Sequence, residues 1–551
     1  MTERERAQPV SLLYAFVLAI VFATALGVRV WGLHWSLPKS GGFSFHPDEI
    51  FQIAAAMRID FLNGRFNPGF YNYGAMYLYL VSLATTLGTG FGLVDPAGLA
   101  DRYMAGRIIS AVLGAATVYL VYLAAVRLYG EPTGLIAAAF AAVAPIAVVH
   151  SHFATVDSAA GFWVAACLAA SAALSREPSL KLCALAGLFA GFAGATKYTA
   201  AIVLVAPLVG VFVGPRNGPV QAGQSPKRVA MVVGMAALGF LIGNPGAVLW
   251  PGEFLRGFLY EYHHAGAGHG LVFAGTGSGW MFHLKSSLRF GLGAPLLILG
   301  LAGVAAMAAD RSRRGWGTLA FAASYYLLIG FAQVRFARYV IPLIPALSVA
   351  SAFAVTDIHR RLGGIRNPGA ARAARCLWVT GCCAAVYYTL SYCVALDRRF
   401  TLADPREEAA AWVERHAPTG VVIALPTAPW FYSPAFRPEF THFRREKAVA
   451  ALAEIKEYKL VTNAQTPWDA HLLRSSGADY VIISDYESQD AERTRDTDAT
   501  DYMRLVNGRY APVSVSAAPL RWGGLDFGPT RRLPHDMKYA APTLTVYRRR
   551  T

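Results

Sequence analysis

The sequence predicts a polytopic α-helical membrane protein with about eleven transmembrane helices over residues 1–396, followed by an extracytoplasmic α/β domain over 397–551. Three observations carry this. Hydrophobic residues make up 55% of the chain and charged ones only 15%, against roughly a quarter charged in soluble globular proteins. Long apolar segments recur through the first 396 residues. Beyond about 397 they stop, and helix caps and short strand patterns replace them.

The apolar segments lie near 10–33, 71–93, 104–129, 132–150, 154–175, 180–196, 198–213, 228–250, 290–309, 316–333, 337–357 and 376–396. The first follows "MTERERAQPV" and reads as an uncleaved signal anchor with a cytoplasmic N-terminus. Whether 71–93 spans sets the orientation of everything after it. If it does not, the cytoplasmic loops hold Arg127, Arg176, Lys181, Arg216, Lys227, Arg228, the three arginines of "DRSRRG" (310–315) and the five of "HRRLGGIRNPGAARAAR" (359–375). The outer side then holds Lys197, Arg256, Lys285, Arg289, Arg335 and Arg338. That asymmetry obeys the positive-inside rule, and the opposite choice reverses it. The stretch "RFNPGFYNYGAMYLYLVSL" therefore reads as an amphipathic interfacial helix, with a second at 49–62. Both belong to a large first outer loop.

Net charge is +16, which this loop bias explains without nucleic acid; no basic run with interleaved aromatics is present. The six cysteines fall in or beside apolar segments without metal-ligand spacing, so they form neither a disulfide framework nor a zinc site.

On this topology several ionisable residues collect on the outer face. They are His46, Asp48 and Glu49 of "FSFHPDEIFQ"; Arg102 and Arg107; His150, His152 and Asp157 of "HSHFATVD"; and Lys197 of "GATKYTA". The long loop 251–289 adds Arg256, "EYHHAGAGH" with His263, His264 and His269, and Arg289. Ionisable groups at membrane depth mark a pathway or site. The alternative is an interfacial anchor whose long stem snorkels, which suits Arg better than the short-stemmed Asp48, Glu49 and Asp157. An outward carboxylate can deprotonate an acceptor hydroxyl or amine, and outward cations can hold a phosphate.

In the order "HPDEIFQIA", "YGAMYLYL", "AGRIISAVLGAATVYLVYLAAVRLYG", "HSHFATVD", "AGLFAGFAGATKYTA" and "RFARYVIPLIPAL", residues 10–360 resemble the GT-C superfamily of membrane glycosyltransferases. The resembling branch is that of protein O-mannosyltransferases and lipid A aminoarabinose transferases, the glycosyltransferase family 39-like group. The resemblance implies a GT-C fold and a polyprenyl-phosphate-linked sugar donor. It implies a lipid, glycan or protein acceptor on the outer face of the plasma membrane. It implies Asp48 as catalytic base with Glu49 beside it, and Arg107, Lys197, Arg256 and Arg289 at the donor phosphate. His46, Tyr73, Asp157, His152 and His264 are then substrate-binding. No cofactor is required, though Asp48, Glu49 and the histidines leave room for a divalent metal. Where many aminoarabinose-type members carry Lys-Pro-Pro, this chain has Tyr73, Gly74 and Ala75. No Trp-Trp-Asp triplet occurs, unlike in oligosaccharyltransferases of similar fold. The rival reading is a secondary transporter or flippase, which calls for internal repeats and mid-membrane charges. A non-catalytic scaffold gives the outward acids no purpose.

In the last 155 residues, "DPREEAAAWVERHAPTG" reads as a helix capped by Asp404 with Pro405 at its first position. "VVIAL", "YVIIS" and "TLTVY" read as strands, and "YESQDAERTRDTDATDY" (486–502) as an exposed charged loop; the aromatics of "PTAPWFYSPAF" read as a glycan-acceptor contact or as packing of the domain on the membrane, with packing the favoured reading.

Overall fold

A computed structural model describes residues 12–38, 44–95, 97–213, 225–436, 457–463, 465–517 and 519–550. The charged N-terminal leader and Arg216 lie outside these. Among the described residues six helices are long and apolar enough to cross a membrane, among them Leu12–Val30, Leu99–Tyr129 and Val156–Leu174. A bent pair, Gly279–Leu292 with Ala294–Ala309, makes a seventh. Leu180–Thr196, Tyr198–Val213 and Trp316–Phe331 are apolar but shorter. Length and composition alone thus qualify fewer spans than the eleven expected.

Two apolar segments are broken, each for a local reason. The run 132–150 divides into Glu131–Ala142 and Pro145–His150. Pro145 cannot donate to the preceding turn, and Ala144 before it is extended at ψ 109°. The bent pair turns by 117° at Gly293, whose φ of +77° ends one helix while Pro295 opens the next. The helix Met76–Gly90 has 15 residues, about 22 Å at 1.5 Å per residue, short of a ~30 Å hydrocarbon core. The expected helix at 49–62 is the shorter Glu49–Ala56; its Ile53, Ala55 and Ala56 pack on Tyr77, Leu78 and Val81.

Small residues set the helix contacts. Gly187 and Gly191 of "AGLFAGFAGAT" face the backbone carbonyls of Val232 and Ala236, and any Cβ there would collide with them. Lipid tails offer no hydrophobic drive between helices, so this close backbone approach supplies the packing.

From Pro405 onward the chain forms an α/β unit. A five-stranded sheet has the order β2 (Lys459–Val461), β1 (Val422–Ala424), β3 (Tyr480–Ser484), β5 (Leu544–Arg549) and β4 (Tyr510–Ser516). β1 runs parallel to β2 and β3, while β5 is antiparallel to β3 and β4. Asp404 caps the helix Pro405–His416 as expected, accepting from the Arg406 N–H. The expected loop at 486–502 is instead two helices, Asp485–Thr494 and Thr497–Arg509. Ser484 and Glu487 form a capping box, and Asp496 caps the second helix. Tyr486, Ala491, Ala499 and Tyr502 are buried beneath the charged faces.

The unit is pinned to the membrane helices. Trp35 Nε1 donates to Asp404 Oδ2 at 3.1 Å, and Tyr387 OH to the Gly523 carbonyl at 2.7 Å. Arg493 donates to the carbonyls of Leu271, Val272 and Ala274 in the long loop.

Candidate functional site

Asp48 and Glu49 are adjacent at the start of one short helix, so their side chains leave it in different directions. Glu49 turns inward and is fully buried, as is Arg107. Its Oε2 receives Arg107 Nη2 at 2.7 Å and its Oε1 receives Arg107 Nε at 2.8 Å. Ser44 Oγ and the Ala154 N–H also donate to Glu49, and Arg107 Nη1 reaches the carbonyls of Leu33 and Trp35. This fork-to-fork pair clamps the first loop, the end of the first helix and the 151–155 connection together. Glu49 and Arg107 therefore face protein: the catalytic role expected of one and the phosphate role expected of the other both lack an open side.

Asp48 points the other way, into a cavity of about 950 Å³ between the membrane helices and the α/β unit. It caps no backbone N–H of its own helix. Its Oδ2 accepts from Arg338 Nη2 at 2.9 Å, and the side chain is 31% exposed. Burial pushes its carboxyl above the usual range, with the Arg338 guanidinium opposing that shift.

Arg338 is the hub. Its Nε lies 3.8 Å from Asp157 Oδ2, and its Nη1 lies 3.7 Å from Asp536 Oδ2 and 3.4 Å from Tyr539 OH. Asp157 in turn accepts from Lys197 Nζ at 2.7 Å, and that ammonium sits 4.7 Å from the centroid of the Tyr339 ring. Asp536 comes from the α/β unit. Fully buried, it accepts from the backbone N–H groups of Ala337 at 2.9 Å and Arg338 at 2.8 Å. It thereby caps the 3-10 turn Ala337–Leu343 that carries the hub. Replacing Asp536 by Asn keeps an acceptor for one N–H but removes the charge facing Arg338. The other buried N–H then loses its acceptor, so we expect a loss of about 1–3 kcal/mol of stability, read as a lower melting temperature.

The outer loops complete the walls. Tyr73 lines the cavity. Its loop is held close because Gly74 presses on the Ala195 carbonyl, where a Cβ would collide, and because Tyr198 OH donates to the carbonyls of Tyr71 and Tyr73. Glu261, His264 and His269 project from the long loop into the same space. Burial raises the Glu261 carboxyl and lowers both imidazoles, His269 to about 4, so the histidines are neutral near pH 7.

Other expected site residues stand elsewhere. His46 is buried against Phe153 and Tyr539 and accepts from the Asp48 N–H through Nδ1, supporting the turn. His152 stacks on Phe400 and lies 3.0 Å from Asp397. Arg256 and Arg289 are exposed outside the cavity. His263 bonds the Leu259 carbonyl through Nδ1 and is not on the wall. Residues of "PTAPWFYSPAF", for which packing was the favoured expectation, also line the cavity: Thr427, Trp430, Phe431 and Tyr432. Among the described residues no group of three or more His, Cys, Asp or Glu is arranged to hold a metal ion.

Residues 99–238 match the family model described as dolichyl-phosphate-mannose-protein mannosyltransferase. No protein of curated function matches the chain. Among solved structures, the apo oligosaccharyltransferase of Archaeoglobus fulgidus superposes with a TM-score of 0.53 at 14% identity, over 92% of this chain and 73% of that one. The same organism's AglB, in complex with an inhibitory peptide and a dolichol-phosphate, gives 0.51 at 14% identity over 96% and 77%. ArnT from Cupriavidus metallidurans bound to undecaprenyl phosphate gives 0.50 at 14% identity, over 97% of both chains.

Proposed function

We propose that this chain, whose fold is that of the GT-C membrane glycosyltransferases, moves a sugar from a polyprenyl-phosphate donor to an acceptor on the outer face of the membrane. The observation that carries this reading is Asp48: an ionisable carboxylate at the wall of a large cavity, held by Arg338 and bound to no backbone amide of its own helix. Asp48 takes the proton of the acceptor nucleophile as that nucleophile attacks the anomeric carbon. The bond from that carbon to the phosphate oxygen breaks, and the lipid phosphate leaves with the electron pair. A single displacement inverts the anomeric configuration. Arg338, on the cavity wall beside Asp48, supplies the positive field for the leaving phosphate, while Lys197, off the wall and paired with Asp157, adds to it only from behind. The basic-loop asymmetry supports an extracytoplasmic position for this cavity and the C-terminal unit. The match of residues 99–238 to a lipid-phosphate-dependent family, and the lipid phosphates bound by proteins of this fold, support the donor class.

The transporter reading lacks a comparable observation. The charges beside the cavity, Asp48, Asp157, Lys197, Arg338 and Asp536, meet at the ends of helices and are paired with one another.

The pH dependence follows with a definite sign. A base works only when deprotonated, so turnover falls as pH drops through the Asp48 pKa. Because burial raises that pKa, the acid limb lies above the ordinary ~3.9 of Asp. Arg338 opposes the shift, so Arg338→Met moves the limb to still higher pH. A profile of initial rate against pH for both proteins checks this. A limb that stays in place or moves down contradicts the pairing.

A further inference from the structure

The strands Pro519–Trp522 and Leu525–Pro529 form a hairpin separate from the five-stranded sheet, joined by Gly523 and Gly524. Both glycines have positive φ, +57° and +75°, as a two-residue turn between twisted strands requires. The hairpin lies along the helix Pro368–Asp397, part of the candidate membrane span Pro368–Thr401. The ring of Phe527 stands 5.3 Å from that of Tyr388 and 5.2 Å from that of Tyr392. Tyr387 OH donates to the Gly523 carbonyl at 2.7 Å. A Cβ on Gly523 would collide with that hydroxyl and crowd Ser391 Oγ, so the turn sits directly on the helix.

These contacts fix the depth of the turn. Tyr387 and Ser391 lie about 15 Å and 9 Å before the helix end at Asp397, at 1.5 Å per residue. The apolar stretch of this helix runs to residue 396. A turn bonded between Tyr387 and Ser391 therefore lies below the level at which the helix leaves the bilayer.

The side chains suit that depth. Trp522 and Leu525 are cross-strand partners next to the turn, and Trp522 is 42% exposed. One step further from the turn, Arg521 and Asp526 pair at 2.8 Å. Arg398, just past the helix end, stands 6.0 Å from the Trp522 ring. Trp and Tyr rings beneath Arg side chains are the composition of a membrane–water interface. Long Arg stems let the guanidinium groups reach the headgroups.

We propose that this hairpin is a membrane-inserting element of the α/β unit. Its turn enters the lipid leaflet on that unit's side, with Trp522 and Leu525 at the boundary of headgroups and acyl chains and Arg398 and Arg521 at the phosphates. The occupant of this surface is phospholipid. The inference is independent of the transferase reading: it concerns how the α/β unit is held at a fixed height on the bilayer, whatever chemistry the cavity performs.

The test is photo-cross-linking of the full-length protein in phosphatidylethanolamine–phosphatidylglycerol nanodiscs. p-Benzoylphenylalanine replaces Trp522 in one protein and Leu525 in a second, so that the result does not hang on one variant. A third carries it at Arg504, exposed on the helix Thr497–Arg509. Melting temperatures matching the parent qualify each protein for the assay. After irradiation, mass spectrometry finds a phospholipid added at positions 522 and 525 and none at 504. Absence of lipid adducts from both hairpin positions overturns the proposal. So do equal adducts at 504, which would mark lipid contact as unspecific, or cross-links from the hairpin to another segment of the chain in place of lipid.

Discussion

Replacing Asp48 by Asn lowers sugar transfer by about 10²–10⁴-fold, the usual contribution of a general base, while leaving affinity for a polyprenyl phosphate nearly unchanged. The side chain keeps its volume and an oxygen for Arg338, which approaches it at 2.9 Å. What is lost is the ability to accept a proton. Because Asp48 caps no backbone amide of its helix and is not buried in a closed pair, the fold does not depend on its charge. A melting temperature close to that of the parent accompanies the lost turnover. Initial-rate kinetics with equilibrium binding of undecaprenyl phosphate separate the two effects. A fall in lipid affinity matching the fall in rate would move Asp48 from base to binding residue.

The second large effect is on stability. Arg107→Met leaves Glu49 as an uncompensated charge with no exposure to solvent. Breaking a buried pair from one side costs about 3–5 kcal/mol, a large share of the stability of an ordinary domain. The Leu33 and Trp35 carbonyls and Ser44 Oγ also lose their donor. Glu49→Gln strands Arg107 in the same way, though the amide oxygen still accepts one bond. Thermal unfolding of both variants in detergent reads the loss. The double replacement Glu49→Leu with Arg107→Met recovers much of it, because neither charge is then left alone. A stable Arg107→Met protein with weakened lipid-phosphate binding would instead restore the phosphate role that the sequence resemblance implied.

The reading of the sequence succeeded where chemistry and spacing coincide, and failed where tertiary contact decides. "HPDE" stood out because short-stemmed acids are poor interface anchors, and its Asp48 lines the cavity. That its two acids have opposite fates was not, since the partner of Glu49 lies 58 residues away. Arg338 was visible among the outer bases, yet nothing in "RFARY" distinguishes it from Arg335, which bonds Thr276 and Gly277 instead. Asp536 gave no signal at all in "LPHDMKY": its importance comes from meeting a 3-10 turn 198 residues earlier. Residues 486–502 looked like a loop because their charge outweighs a buried stripe of Tyr486, Ala491, Ala499 and Tyr502. The caps at Ser484 and Asp496 were the signal that could have found both helices. Pro145 and the Gly293–Pro295 pair carry break signals that the unbroken segments 132–150 and 290–309 overlooked.

The most direct test of sugar transfer through Asp48 is mass spectrometry of membrane glycolipids and surface glycans in cells lacking the chain, complemented with the parent or with Asp48→Asn. The account predicts one glycan or glycolipid lighter by a single sugar, together with accumulated polyprenyl-phosphate sugar. The parent protein corrects both; the Asn variant corrects neither. Unchanged glycans in the deleted strain, or full correction by the Asn variant, would contradict it.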